Sequence, residues 1–124
     1  MDREKFEKLV WQGIEAIPKR FLEKLDNVDI IIEDEPTPEQ VKKLNLGAGT
    51  KLFGLYEGVP QARRRHYTWV LPDKITIFQK PIESVCFTDE EIKKQVKKTV
   101  WHEIAHHFGM DEGRVRRVER QKNL

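Results

Sequence analysis

Apolar positions recur at helical spacing through the first stretch of the chain, MDREKFEKLVWQGIEAIPKRFLEKL. Phe6, Leu9, Val10, Gly13, Ile14 and Ile17 fall three or four residues apart, which is the stripe of an amphipathic helix. Pro18 interrupts it, and a further helical turn is expected to start there. The period then changes. VDIIIEDE, from Val28 to Glu35, is short and β-branched between polar flanks and predicts a buried strand. Pro36 and Pro38 stop that strand, and PEQVKKLN follows as a short helix. KLFGLYEGVP, from Lys51 to Pro60, predicts a second strand in which Gly54 and Gly58 mark a bulge or a close backbone approach. Residues 61–69 read as a loop carrying RRRHYTW. DKITIFQK, from Asp73 to Lys80, sets Ile75, Ile77 and Gln79 against Thr76, Phe78 and Lys80 and predicts the third strand; PIESVCF reads as another short helix.

The strongest start signal comes next. Thr88 followed by Asp89, Glu90 and Glu91 makes a Thr-x-x-Glu capping box, with three acids at the positive end of the helix dipole. The helix is expected to run from about Asp89 to Phe108, and Gly109 is suited to leave it in a left-handed turn. Its first half carries Lys93, Lys94, Lys97 and Lys98; its second half is apolar around most of its circumference, at Val100, Trp101, Ile104, Ala105 and Phe108. Such a helix passes from solvent into the protein.

At the enclosed end stands HEIAHHFGMDE, residues 102–112, with three of the four histidines. His102 and His106 are four apart, so on a helix they share one face. Two imidazoles at that spacing can bind one zinc ion. In the His-Glu-x-x-His arrangement the carboxylate of Glu103 acts as general base toward a zinc-activated water. A catalytic zinc needs one further protein ligand and an open position. Gly109 lets the chain turn back after His106, in the layout His-Glu-x-x-His-x-x-Gly-x-x-ligand, and brings Asp111 and Glu112 toward the metal. Glu112 is the preferred third ligand and Asp111 the alternative.

HEIAHHFGMDE, preceded by LFGLYEGVP and LPDKITIFQKPIE, resembles the small bacterial family of zinc metallopeptidases with a minimal zincin fold. The resemblance covers about Asp26 to Arg117. It implies an α+β fold: a small mixed three-stranded sheet packed on an N-terminal helix and a central helix bearing the His-Glu-x-x-His motif. It also implies Zn2+ as cofactor, His102 and His106 as zinc-binding histidines, Glu103 as the catalytic glutamate and Gly109 as the turn glycine. The family usually has aspartate where Glu112 stands, and that departure keeps Asp111 open. The resemblance brings no particular substrate. Glu119 stands in the position of a later-helix glutamate that another zincin class uses as third ligand, but that class needs a longer connection than this chain has.

Other residues carry plainer expectations. His107 points about 100° away from His106 on the helix and is expected to stack or hydrogen-bond behind the site. His66 is expected to be solvated, Trp69 and Trp101 to lie in the core, and Cys86 to be a small buried hydrophobe. KLFGLYEG is the candidate edge strand against which an extended peptide pairs, and Tyr56 is a candidate donor to a tetrahedral intermediate or a packing residue.

At 124 residues, 38% hydrophobic and 35% charged, the chain suits one domain, 1–124. With one cysteine, no internal disulfide forms and a cytoplasmic location is expected. No apolar run approaches the roughly 20 residues of a membrane helix, so no membrane partner is expected, and a net charge of +2 favours no partner class. The leading functional reading is a zinc metallopeptidase acting on a peptide or protein substrate. Two rivals stand beside it. One is an RNA-acting zinc protein, drawn from Arg63, Arg64 and Arg65 and from the basic GRVRRVERQK. The other is a non-catalytic zinc-stabilised interaction module. About 12 residues follow Glu112, so the cleft is expected to be shallow and open, with activity weak or dependent on a partner or a second copy of the chain.

Overall fold

The computed structural model describes residues 1–43, 52–58, 73–107 and 112–122; of 43, 112, 115 and 122 it describes the backbone alone. The first helix, α1 (Arg3–Glu15), is capped by Asp2, whose side chain accepts from the Lys5 N–H, and buries Phe6, Leu9, Val10, Gly13 and Ile14. The break falls where Pro18 requires it. Ala16 closes α1, and Pro18 begins a short helix, α2 (Lys19–Leu22), followed by a 3₁₀ turn at Glu23–Leu25.

Strand β1 (Val28–Glu33) leads to α3 (Pro38–Lys43). Proline at the first helical position of α3 costs no hydrogen bond, and Thr37 and Gln40 cap it reciprocally: Gln40 N–H donates to Thr37 Oγ1, and Thr37 N–H to Gln40 Oε1. Strands β2 (Gly54–Glu57) and β3 (Asp73–Phe78) complete a sheet of order β1-β3-β2. β1 runs parallel to β3 in the register Val28↔Asp73 to Glu33↔Phe78, and β2 runs antiparallel to it from Gly54↔Ile77 to Glu57↔Lys74. The sheet is therefore mixed, as the resemblance implies.

Two strand expectations change. Among the described residues β1 is an edge strand, with β3 beside it, and its residues are half-buried or exposed. The central strand is the enclosed one over its last four residues: Ile75, Thr76, Ile77 and Phe78 are all buried. β3 also stops at Phe78, and Gln79 and Lys80 open the next helix, α4 (Gln79–Val85). Pro81 explains the early stop, since it has no N–H for a strand ladder and fits the first turn of a helix.

The long helix α5 (Asp89–His107) begins at the expected cap, with Glu91 N–H donating to Thr88 Oγ1 and the Thr88 hydroxyl donating to Glu91. It packs along α1, with Gly13 so close that a Cβ there would lie 2.7 Å from the Lys93 carbonyl oxygen. Trp101, Phe6, Ile75, Ile77, Ile82, Val96, Val100 and Ile104 form one core between the two helices and the sheet. The last helix, α6 (Glu112–Lys122), docks on that core through Val118. Cys86 is half-buried rather than buried, and burial followed by the nearby Glu91 charge pushes its thiol pKa up, away from thiolate reactivity. Among the described residues no helix is long and apolar enough to cross a membrane.

Candidate metal centre

His102 and His106 both lie on α5, one turn apart, with ring centroids 6.2 Å from each other and planes 26° from parallel. His102 is half-buried and His106 exposed, so the pair faces out of the core at the end of a helix whose other side is fully enclosed by Trp101, Ile104 and Ala105.

Glu103 reaches the sheet. Its Oε2 accepts from the backbone N–H of Tyr56 at 3.1 Å, which ties the helix to β2 at the strand's middle. Burial pushes the Glu103 carboxyl pKa above its ordinary value, and the Tyr56 N–H and the neighbouring His106 charge pull it part of the way back. A half-buried carboxylate beside a histidine has the character a general base requires.

The approach of β2 to α5 depends on Gly54. A Cβ there would fall 2.6 Å from the Thr99 methyl and 3.3 Å from the Thr76 carbonyl oxygen, so the close backbone approach expected of this glycine is real. Between β2 and α5 lies an open cleft of about 320 Å³ with His102 and Glu103 at one end, Gln95, Lys98 and Thr99 along the helix, and Leu52, Phe53 and Gly54 along the strand.

Behind the site, the Tyr56 ring stacks on His107, with centroids 3.7 Å apart and planes 17° from parallel. The Tyr56 hydroxyl donates to Asp73 Oδ2 at 2.7 Å, and His107 Nε2 lies 3.9 Å from the same oxygen. His107 thus stacks behind the site, as its angle on the helix requires.

A model of the family described as zincin-like metallopeptidase matches residues 25–122. The chain belongs to the zincin-like metallopeptidases. Among solved structures, a conserved hypothetical protein from T. thermophilus shares the fold, with a TM-score of 0.56 and 23% sequence identity over 86% of this chain and 94% of that one. No curated protein matches.

In this zincin-like chain the donor set fits zinc chemically: two imidazoles one turn apart, with carboxylates beside them, are the nitrogen and oxygen ligands that zinc takes. Among the described residues, however, no three such side chains converge on one point. The expected third ligand bears on this. Asp111 lies outside the described residues, as do Gly109, His66, Trp69, Arg63, Arg64 and Arg65; Glu112 is the first residue of α6, its side chain also outside the description.

One contact at the motif was not expected from the sequence. Glu119 Oε1 sits 3.2 Å from His102 Nε2 and accepts from Trp101 Nε1 at 3.2 Å. The contact brings α6 against the end of α5. A signal was present: Glu119 follows Val118, the apolar residue through which α6 docks on the core, in a helix rich in arginine.

Proposed function

We propose that this zincin-like protein is a zinc-dependent peptidase in which Glu103 is the general base. The observation that carries the reading is the placement of Glu103. It stands beside His106, its pKa raised by burial, and it is bonded to the N–H of an edge strand that borders the cleft. His102 and His106 would hold the metal, with Glu112 as third ligand and Asp111 as the alternative. Zinc, when bound, supplies Lewis-acid chemistry, lowering the pKa of a water to about 7 and polarising a carbonyl.

The chain's own residues supply the rest. Among the described residues β2 is an edge strand, so an extended peptide can add to it as a further strand and lie across the cleft. Its scissile carbonyl then comes over Glu103. The carboxylate takes a proton from the attacking water and delivers it to the departing amine, so both transfers run through one residue. The Tyr56 hydroxyl, expected as a donor to the reacting carbonyl or as a packing residue, donates to Asp73, which supports the packing reading. Peptide or protein is therefore the proposed substrate class.

Glu103→Gln tests the reading. The variant is expected to lose at least about 10²-fold in turnover of a peptide library, the scale of a general-base contribution, while binding zinc as the wild type does. Turnover retained in that variant would rule out the mechanism.

A further inference from the structure

The cleft beside Glu103 continues past the motif. Gln95 and Lys98, which line it along α5, also line a second hollow of about 270 Å³ that Val85 and Cys86 share. Gln95, Lys98 and His102 follow one another at three- and four-residue spacing, so one face of the helix serves both hollows. The strand keeps pace with it. Tyr56 meets Glu103, and two residues earlier Gly54 meets Thr99, so β2 and α5 run side by side in the same direction. A peptide added to β2 therefore lies along the helix face as well.

The two walls of this groove differ in chemistry. Leu52 and Phe53 make the strand side apolar. On the helix side Gln95 is held in place, its Nε2 donating to Thr99 Oγ1 at 3.0 Å. Lys98 is exposed and brings a positive charge into the wall. Glu103 lies at the reacting end, where its carboxylate takes the Tyr56 N–H. At 1.5 Å per residue, Lys98 stands about 7.5 Å back from it along the helix axis. A strand advances about 3.3 Å per residue, so that distance is about two residues of an extended peptide. In the second hollow Lys94 is accompanied by the acid Glu91, and Lys98 is the lysine that lines both hollows.

We infer that Lys98 is a specificity-determining residue of this cleft, and that its substrate is an extended peptide with an acidic side chain about two residues from the scissile bond. The inference rests on the peptidase reading above and narrows its substrate class. A lysine can lay its aliphatic stem along apolar surface and still carry its ammonium to a carboxylate. A basic side chain at the same place in the peptide meets a like charge, which adds rejection to attraction.

The test uses the full chain without a histidine tag, loaded with zinc, on a random decapeptide library whose cleavage products are sequenced by mass spectrometry. The wild type is expected to enrich Asp and Glu about 5-fold at one position about two residues from the cut, the upper end of what an exposed ion pair provides. Lys98→Gln is expected to lose that enrichment, and Lys98→Glu to replace it with enrichment of Lys and Arg at the same position. Lys19→Glu makes the same change of charge on α2 and is expected to keep the wild-type preference. Cleavage by the wild type without acidic enrichment would overturn the inference while leaving the peptidase reading in place. Acidic enrichment that survives in Lys98→Glu, or disappears in Lys19→Glu, would overturn it too. Loss of all cleavage in Lys98→Gln would do the same, by making Lys98 part of the reaction rather than of selection.

A second arm needs neither metal nor turnover. Binding of two labelled decapeptides to the metal-free protein, one of alternating Val and Glu and one of alternating Val and Lys, is read by fluorescence anisotropy. Alternation sets the charges on one face of an extended chain. The wild type is expected to bind the Glu peptide about 5-fold more tightly or better, and Lys98→Glu to prefer the Lys peptide. Equal binding of the two peptides by the wild type would overturn the inference. If the zinc-loaded wild type cleaves nothing, the peptidase reading falls, and this arm alone decides whether the cleft selects an acidic chain.

Discussion

In the proposed mechanism Glu103 couples the chemistry to the stability of the fold. Burial raises its carboxyl pKa above the ordinary value in spite of the Tyr56 N–H and the His106 charge, so the folded chain binds that proton more tightly than the unfolded chain does. Its favourable contribution to folding is therefore present below the unfolded pKa and lost as the pH rises through the folded pKa. Gln carries no charge at any pH. Metal-free Glu103→Gln is expected to melt above metal-free wild type at neutral pH, with the gap closing as the pH falls toward about 4. Equal melting temperatures across that range would mean that the carboxylate is not penalised by burial. Tyr56→Phe makes the complementary case: it removes the bond to Asp73 and is expected to cost about 1 kcal/mol in denaturant unfolding while leaving turnover near wild type. At this scale, the shared face of His102 and His106 followed from spacing alone, because residues one turn apart on a helix lie one above the other. The contact of Glu119 with His102 was harder to read. It joins two helices through space, and no periodicity within either one encodes it; only the acid beside Val118 on α6 pointed that way.

At the scale of elements, α5 and β2 make the site by approaching closely, and glycine permits the approach. Gly54→Ala places a methyl against the Thr99 side chain at 2.6 Å. It is expected to destabilise by about 1–3 kcal/mol, the range for overpacking, and to lower turnover by moving Tyr56 N–H away from Glu103. Thr88→Ala acts at the far end of the same helix. Loss of its cap is expected to cost about 1 kcal/mol with no change in zinc content, since the cap stands at the opposite end of α5 from the histidines. A fall in zinc content in that variant would show the helix to be less rigid than its packing along α1 implies. The elements with strong local signals were legible: the capping box of α5, the proline break after α1, the apolar stripe of α1. The strands were legible in place but not in burial. β-branched VDIIIE reads like a buried strand wherever it lies, and only the order β1-β3-β2 makes it an edge. The end of β3 was misread because the alternation continues through Gln79 and Lys80, whereas Pro81 favours the helix that replaces it.

For the whole molecule, the central claim is that one end of α5 is a metal centre, served by β2 on one side and by α6 on the other. Zinc that binds only the folded chain stabilises it by mass action, by about 2.7 kcal/mol at 100 times its Kd. The melting temperature is accordingly expected to rise with added zinc in the wild type and not in His102→Ala. The mixed sheet, the central helix and the family were all within reach of the sequence, because the motif and the strand-rich stretch before it lie together in the chain. The most direct measurement is zinc per chain by elemental mass spectrometry, on tag-free protein dialysed against trace zinc. The account predicts near one zinc per chain in the wild type and in Glu103→Gln, and almost none in His102→Ala or His106→Ala. A wild type that carries no zinc would contradict it, and His102 and His106 would then be ordinary residues at the end of a helix.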